Sequence, residues 1–251
     1  MNLVILDARP GPAYEAGHAE GALHADLEAQ LSSASDPGAD PSRGGRHPLP
    51  PLDRWLAQVA AWGITPSTRV IVYDDQDGAN AAARAWWMLR AIGHENVEVL
   101  RDWKGGVPPA PSKTSHVTEQ HPTRWLLPTV TMDQVDVLRH DPSWKVLDVR
   151  AAPRFRGETE PIDPVAGHIP GAVNLPYTEN TGKSPDELRA LYEHFLGDVP
   201  PERLIVHCGS GVTACHTLLA LEEAGLPGAT LYVGSWGEWC RNEMPIGKVG
   251  E

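Results

Sequence analysis

One cysteine, Cys208, stands between a short apolar run and a glycine-rich turn, an arrangement typical of a nucleophile. Residues 204–206 predict a buried strand, and residues 214–224, with leucines at helical spacing, predict the helix that follows. Gly209 and Gly211 allow the intervening backbone to curl so that its N–H groups point inward as an anion nest. These N–H groups and the positive end of the helix dipole favour the thiolate, which is the attacking form of cysteine.

The other two cysteines lack this setting. Cys215 falls inside the predicted helix, where we expect it to be packed rather than to act as a resolving thiol, and Cys240 follows Trp239 with no assigned role. A buried structural role is the alternative for Cys208 as well, but the flanking glycines favour the nucleophile. An odd number of cysteines, one of them nucleophilic, indicates a reducing compartment, so we expect a cytoplasmic protein.

The segment Cys-Gly-Ser-Gly-Val-Thr, residues 208–213, resembles the active-site loop of the rhodanese-type sulfurtransferases, and in particular their 3-mercaptopyruvate sulfurtransferase branch. Further matches follow in family order along the C-terminal half. They are residues 148–150, 154–157, 167–172, 174–176 and 232–239. The resemblance implies an enzyme that carries sulfur as a persulfide on Cys208 and passes it to a thiol or to cyanide. Thioredoxin is among the candidate acceptors.

The two halves of the chain repeat one another. Residues 7–9 and 17–22 match residues 148–150 and 167–172, and residues 70–74 match the strand that leads to Cys208. Each half runs strand, loop, strand, helix, strand, which predicts a mostly parallel sheet flanked by helices. The fold expected is therefore α/β, with two tandem rhodanese-like domains.

The repeat also predicts the domain boundaries. Residues 1–108 form the N-terminal domain, residues 109–126 a Pro-rich linker, and residues 127–251 the C-terminal domain. Asp74 occupies the position of Cys208 in the first domain. A carboxylate cannot form a persulfide, so this domain is predicted to be inert as a sulfur carrier.

The resemblance places nine positions at the site. The catalytic positions are Cys208, Ser210, His47 and Glu28, and the donor-binding positions are Arg154, Gly209, Gly211, Val212 and Thr213. Ser210, His47 and Glu28 would assist protonation of the leaving group, since a histidine can relay a proton and a carboxylate can orient it. The alternative is that Glu28 and His47 are ordinary loop residues. Thr213 is expected to order the loop by capping the helix.

One departure concerns the donor's anionic end. The mercaptopyruvate branch uses two arginines, but the stretch that should contain the second has none and holds Asp163, which is expected to repel a carboxylate. Arg156 is a possible substitute. Arg150 is expected to form a structural ion pair, as Arg9 would in the repeat. The neutral loop after Cys208 favours mercaptopyruvate as donor, and thiosulfate stays open as the alternative.

Other classes of protein fit less well. Loops that hold phosphate or arsenate end in an arginine, but no Arg or Lys lies between positions 208 and 216. A sulfur-binding module without turnover stays a distant alternative. The net charge of −12 over 251 residues argues against nucleic acid or an anionic membrane as a partner. No Cys/His cluster has metal-ligand spacing and no nucleotide fingerprint occurs, so no metal or cofactor is expected.

Overall fold

The computed structural model of the chain describes residues 2–101 and 122–248. The chain divides into two compact units, the N-terminal unit (Met1–Asp36 and Leu49–Leu127) and the C-terminal unit (Pro37–Pro48 and Pro128–Glu251). The segment Pro37–Pro48, called the 37–48 loop below, thus belongs to the C-terminal unit although it lies in the first half of the sequence. Of the predicted linker, residues 109–121 lie outside the described residues.

The N-terminal unit is built on a four-stranded sheet whose strand pairs are all parallel. The order across the sheet is β2-β1-β3-β4, so the two buried strands lie at its centre. Its elements in chain order are β1 Leu3–Asp7, α1 Gly11–Ala16, β2 Leu23–His24, α2 Leu52–Ala61, β3 Arg69–Tyr73, α3 Ala81–Arg90 and β4 Val97–Val99.

The C-terminal unit repeats this plan and adds one edge strand. Its parallel sheet has the order β5-β9-β8-β6-β7. The elements are β5 Thr129–Val130, α4 Met132–Leu138, β6 Lys145–Asp148, α5 Ala152–Phe155, β7 Val173–Asn174, α6 Pro185–Leu196, β8 Leu204–His207, α7 Thr213–Glu223, β9 Thr230–Tyr232 and α8 Ser235–Trp239. The expected pair of parallel sheets flanked by helices is confirmed, as are the strand before Cys208 and the helix after it.

Equivalent residues pair in the two sheets. Asp7 lies opposite Tyr73, and Asp148 lies opposite His207. The next residue after each central strand, Asp74 or Cys208, therefore emerges at the carboxyl edge of its sheet. Ligands of open parallel sheets bind beyond this edge, so the topology places Cys208 where chemistry is expected.

Helix starts follow their sequence signals. Thr131 accepts the N–H of Gln134 and forms a capping box with it at the start of α4. Ser184 and Glu187 form the same motif at α6. Within residues 2–101 and 122–248, the helices are all too short or too polar to cross a membrane.

Candidate active site

Cys208 is buried and its backbone is tied to the turn that follows β9. The residue is 2% exposed. Its N–H donates to Ser235 Oγ at 3.2 Å, and its carbonyl accepts the N–H of Trp236 at 3.0 Å. Ser235 is held in turn, because its hydroxyl donates to the Tyr232 carbonyl at 2.9 Å. Both polar groups of the Cys208 backbone are therefore fixed, and with them the position of the sulfur.

The loop after Cys208 curls back toward the thiol. The N–H of Ser210 points at Cys208 Sγ, with a distance of 3.5 Å between the two heavy atoms. Gly211 has a φ of +72°, and a Cβ built on it would lie 2.5 Å from the Val233 carbonyl oxygen, so only glycine fits there. A backbone N–H aimed at sulfur stabilises negative charge on it, as the sequence predicted for this loop.

The helix α7 begins directly after the loop. Its N-cap residue is Val212, and no side chain caps the helix. The expectation that Thr213 caps α7 is therefore wrong: Thr213 is already the first helical residue, one position too late for its hydroxyl to act as the N-cap. Without a side-chain cap, the first N–H groups of α7 keep their capacity to interact with a bound anion.

Two guanidinium groups approach the loop at Gly209. A Cβ built on Gly209 would lie 2.8 Å from Arg46 Nη2, 3.4 Å from Arg154 Nη2 and 3.6 Å from Arg154 Nη1. Arg154 comes from α5, where the resemblance predicted an anion-binding arginine. Arg46 comes from the 37–48 loop and was not predicted. Its only sequence signal is that it directly precedes His47, which the resemblance had already assigned to the site.

Two buried acids hold these arginines in place. Asp163 is fully buried and accepts from Arg46 Nε at 3.1 Å and from Arg241 Nη1 at 2.7 Å, and it lies 3.4 Å from Arg154 Nη2. Glu160 accepts from Arg154 Nη2 at 2.6 Å. The expectation that Asp163 repels the donor is therefore wrong, because its charge is compensated by guanidinium groups.

Glu160 keeps the pair with Arg154 charged. Burial pushes the pKa of Glu160 upward, but the hydrogen bond from Arg154 and those from the N–H groups of Asp163 and Ile162 outweigh burial and hold the pKa below its ordinary value. At neutral pH the group is a carboxylate. Its role is to orient Arg154, whose Nε also donates to Glu160.

The 37–48 loop is anchored to the end of β9 and to α8. The N–H of Gly44 donates to Glu238 Oε1 at 2.7 Å, and the other carboxylate oxygen accepts from the Tyr232 hydroxyl at 2.8 Å. Asn242 Nδ2 donates to the Ser42 carbonyl at 3.0 Å. Gly45 has a φ of +82°, and any side chain on it would overlap the backbone of Gly234. These contacts fix the loop that carries Arg46.

The two aspartate–arginine motifs are structural. Arg150 Nη2 donates to Asp148 at 2.7 Å and to the Gly167 carbonyl at 2.7 Å, and Arg9 makes the equivalent pair with Asp7. Both expected ion pairs are confirmed. Arg156 pairs at 2.6 Å with Glu158, and both side chains are exposed. Arg156 therefore forms an ion pair at the surface and does not supply the second arginine expected for the donor's anionic end.

His207 is fully buried at the end of β8, and its Nδ1 lies 3.2 Å from the Cys208 carbonyl. Burial and the nearby Arg150 charge lower its pKa, against the attraction of Asp148. A fully buried ring whose nitrogen contacts the backbone has a packing role rather than that of a catalytic base.

In the N-terminal unit the nest is filled by Asp74 itself. Its Oδ1 accepts the N–H groups of Gln76 and Gly78 at 2.9 and 2.8 Å, and its Oδ2 accepts those of Asn80 and Ala82, both at 3.1 Å. The anion that this loop binds is therefore its own carboxylate.

The remaining cysteines and Trp236 are packed. Cys215 is buried on α7, with its thiol 3.3 Å from the Gly211 carbonyl, as expected of a packed residue. Burial and the Asp163 carboxylate raise the pKa of the Cys240 thiol, which keeps it protonated. Trp236 is fully buried, donates from its indole to the Val165 carbonyl at 2.9 Å and stacks under Arg150.

The two remaining predicted residues lie in different units. His47 is half-buried on the 37–48 loop, next to Arg46, and so belongs to the unit that holds Cys208 and Ser210. Glu28 is exposed in the N-terminal unit, where its N–H donates to Asp26. Their roles in proton transfer stay predictions.

Comparison with known proteins assigns the family. The profile described as Rhodanese-like domain matches twice, at residues 1–105 and 131–242. The chain belongs to the rhodanese-like family, as a member with two copies of the domain.

Three similar proteins cover nearly the whole chain. A probable 3-mercaptopyruvate sulfurtransferase of Pseudomonas aeruginosa is 40% identical over 95% of this chain and 89% of its own length. A putative thiosulfate sulfurtransferase of Mycobacterium tuberculosis is 37% identical over 94% of this chain and 85% of its own. The crystal structure of the 3-mercaptopyruvate sulfotransferase SseA of Escherichia coli is 32% identical, with a TM-score of 0.67, over 93% of this chain and 92% of that one.

Proposed function

We propose that this sulfurtransferase carries a sulfane sulfur as a persulfide on Cys208. The Cys208 thiolate attacks the sulfur of mercaptopyruvate, and the carbon–sulfur bond breaks with its electron pair moving to carbon, so that an enolate leaves and is protonated to pyruvate. An acceptor thiolate or cyanide then attacks the outer sulfur of the persulfide. The S–S bond breaks, and its electron pair returns to Cys208 Sγ, which restores the enzyme in a two-step covalent cycle.

The observation that carries this proposal is the setting of the Cys208 sulfur. It lies at the carboxyl edge of the sheet, with the Ser210 N–H 3.5 Å away and an uncapped helix start behind the loop. Backbone N–H groups placed in advance stabilise developing negative charge in a site shielded from water. The persulfide's terminal sulfur carries such a charge, so the loop 209–213 stabilises this intermediate.

The donor we favour is 3-mercaptopyruvate. No cation lies in the loop between Cys208 and α7 to hold the thiosulfate dianion. The names of the relatives divide, since the Pseudomonas protein is named for 3-mercaptopyruvate and the Mycobacterium protein for thiosulfate. Thiosulfate is therefore the second candidate donor, and its sulfane sulfur would reach Cys208 with release of sulfite.

The same chemistry indicates the sulfur acceptor and the different roles of the two domains. A thiol or cyanide accepts the sulfur, and a protein dithiol such as thioredoxin is a candidate because it can remove the sulfur and reduce it. The N-terminal domain carries no sulfur, because the carboxylate of Asp74 occupies its nest. All transfer therefore depends on Cys208.

The test compares Cys208→Ser with Cys240→Ser. Cys240 is the matched control because its thiol is buried and protonated. We expect Cys208→Ser to abolish turnover with mercaptopyruvate and thiosulfate alike, and Cys240→Ser to keep it. Intact-mass measurement after exposure to donor alone should show one added sulfur in the wild type and none in Cys208→Ser. Measurable turnover by Cys208→Ser from any donor would overturn the proposal, and kcat/KM for the two donors on one preparation decides between them.

A further inference from the structure

The start of α8 contacts both loops of the C-terminal unit that meet at the site. The N–H of Gly237 donates to the Gly209 carbonyl at 2.9 Å, which holds the loop after the nucleophile. The next residue, Glu238, accepts the N–H of Gly44 at 2.7 Å through Oε1, which holds the 37–48 loop. One short segment therefore joins two loops, the first through its backbone and the second through a single side chain.

The Glu238 carboxylate is oriented by two neighbours. Its Oε2 accepts from the Tyr232 hydroxyl at 2.8 Å, and a Cβ built on Gly234 would overlap the same oxygen. Glycine is therefore needed at position 234 to leave room for the carboxylate. Burial and the Glu238 charge raise the pKa of Tyr232, so its hydroxyl stays protonated and donates. A carboxylate accepts from both partners at once, whereas a carboxamide has only one oxygen to offer.

The 37–48 loop is held on both sides of Arg43. The Ser42 carbonyl accepts from Asn242 Nδ2 at 3.0 Å, and the Gly44 N–H donates to Glu238. Between these two anchors the Arg43 side chain is 87% exposed. Exposed loop positions are the preferred sites of proteolysis, and cleavage requires local opening of the backbone. Trypsin, which cleaves after arginine, therefore reports directly on whether this segment is held.

We propose that Glu238 is a positioning residue for sulfur transfer, because it holds the 37–48 loop beside the reacting cysteine. This inference rests on the proposed function. Arg46 follows Gly44 by two residues, and its Nη2 lies 2.8 Å from the position of a Cβ on Gly209. Loss of the Glu238 contact releases the part of the loop that reaches the residue next to the nucleophile, so the donor binds more weakly.

Other groups of the same segment hold the nucleophile itself. The N–H of Cys208 donates to Ser235 Oγ at 3.2 Å, and its carbonyl accepts the N–H of Trp236 at 3.0 Å. The Glu238 side chain takes part in neither bond. Its replacement should therefore weaken donor binding and leave the reactivity of the Cys208 thiol unchanged, a combination that a general loss of packing would not give.

The experiment compares Glu238→Ala and Glu238→Gln with Glu243→Ala. Glu243 is the matched control, because its replacement removes the same charge from an exposed position five residues away. Losing a hydrogen bond to a charged group should let trypsin cleave folded Glu238→Ala after Arg43 about tenfold faster than the wild type, with the fragments identified by mass. Glu238→Gln should show a smaller increase, because it keeps one acceptor. Glu243→Ala should match the wild type.

Kinetics on the same samples test the role in the reaction. KM for the better of the two donors should rise about tenfold in Glu238→Ala with kcat retained, as expected for a loss of uniform binding. Alkylation of Cys208 by iodoacetamide, followed by intact mass, should proceed at the wild-type rate. Glu238→Gln carries the same test at smaller size if the alanine variant does not fold.

Three results would overturn the role of Glu238. They are wild-type cleavage after Arg43 in the folded variant, an unchanged KM, and a slower alkylation of Cys208, which would assign the effect to the nucleophile. Turnover without Cys208 would instead overturn the proposed function, so the two failures are distinguishable.

Discussion

Arg46 and Asp163 are joined by an ion pair of 3.1 Å although 117 residues separate them in the sequence. This contact fastens the 37–48 loop to the unit that contains Cys208. Asp163 is fully buried and would be costly to leave unpaired, so it requires its arginines as much as they require it. The pair therefore supplies the site with a guanidinium from a distant part of the chain.

The proposed proton relay predicts a donor-dependent loss of activity. Mercaptopyruvate leaves as an enolate that must gain a proton, whereas thiosulfate releases sulfite, which needs none at neutral pH. Ser210→Ala and His47→Ala should then reduce turnover with mercaptopyruvate by about 10²-fold or more, the usual scale of general acid–base catalysis. Thiosulfate turnover, measured on the same samples, is the internal control and should be largely spared. Equal losses with both donors would show that these residues only shape the pocket.

The filled nest of Asp74 predicts a loss of stability without a loss of activity. Asp74→Ala removes the acceptor of four N–H groups, two of them buried, and leaving buried donors unpaired costs about 1–3 kcal/mol of unfolding free energy. Asp75→Ala removes the same charge from an exposed neighbour and should leave stability unchanged. Urea unfolding measures the difference.

The kinetic side of the Asp74 prediction is separate. Folded Asp74→Ala should keep the wild-type kcat/KM with either donor, because the N-terminal domain carries no sulfur in the proposed cycle. A folded variant that had lost sulfur transfer would contradict the proposal that the N-terminal domain takes no part in the reaction. A urea midpoint equal to that of the wild type would show that the N–H groups find other partners.

Burial of His207 predicts a pH dependence of stability. Its folded pKa is lowered from 6.5, so between that value and the folded pKa the unfolded chain binds more protons than the folded one. The free energy of unfolding therefore falls as the pH decreases through this window, by at most about 1.4 kcal/mol per pH unit for one group. His94, whose pKa is also lowered by burial, adds to the slope.

Urea unfolding between pH 7.5 and 5.5 measures that slope. His207→Gln should flatten it relative to the wild type, while His140→Gln, which removes an exposed histidine, should keep it. A slope that His207→Gln left unchanged would assign the dependence to other groups.

Local patterns were sufficient to predict much of this protein. The strand before Cys208, the glycine at 211 and the helix after it are encoded by neighbouring residues, since burial, positive φ and helical periodicity are local requirements. The repeat of Asp148-Val-Arg150 in the N-terminal half likewise predicted two similar sheets. The resemblance added Arg154 at the site, and the structure places this arginine beside Gly209.

Other features depend on contacts between distant residues. From the sequence alone, Asp163 is expected to repel anions. In the structure, three arginines from separate segments surround it. Asp74 lies in an acidic segment of the sequence. In the structure, its carboxylate accepts hydrogen bonds from backbone N–H groups.

Residue types at short spacing are enough to predict a nucleophilic role for Cys208, the family resemblance and the repeated α/β plan. The placement of the 37–48 loop in the unit of Cys208, with Arg46 beside Gly209, follows from contacts between distant segments. The effect of a charged group depends on which groups surround it in space, and the sequence does not give those neighbours. The hydrogen bond from the Gly44 N–H to Glu238, which lies 194 positions later, cannot be predicted from any periodic pattern in the sequence.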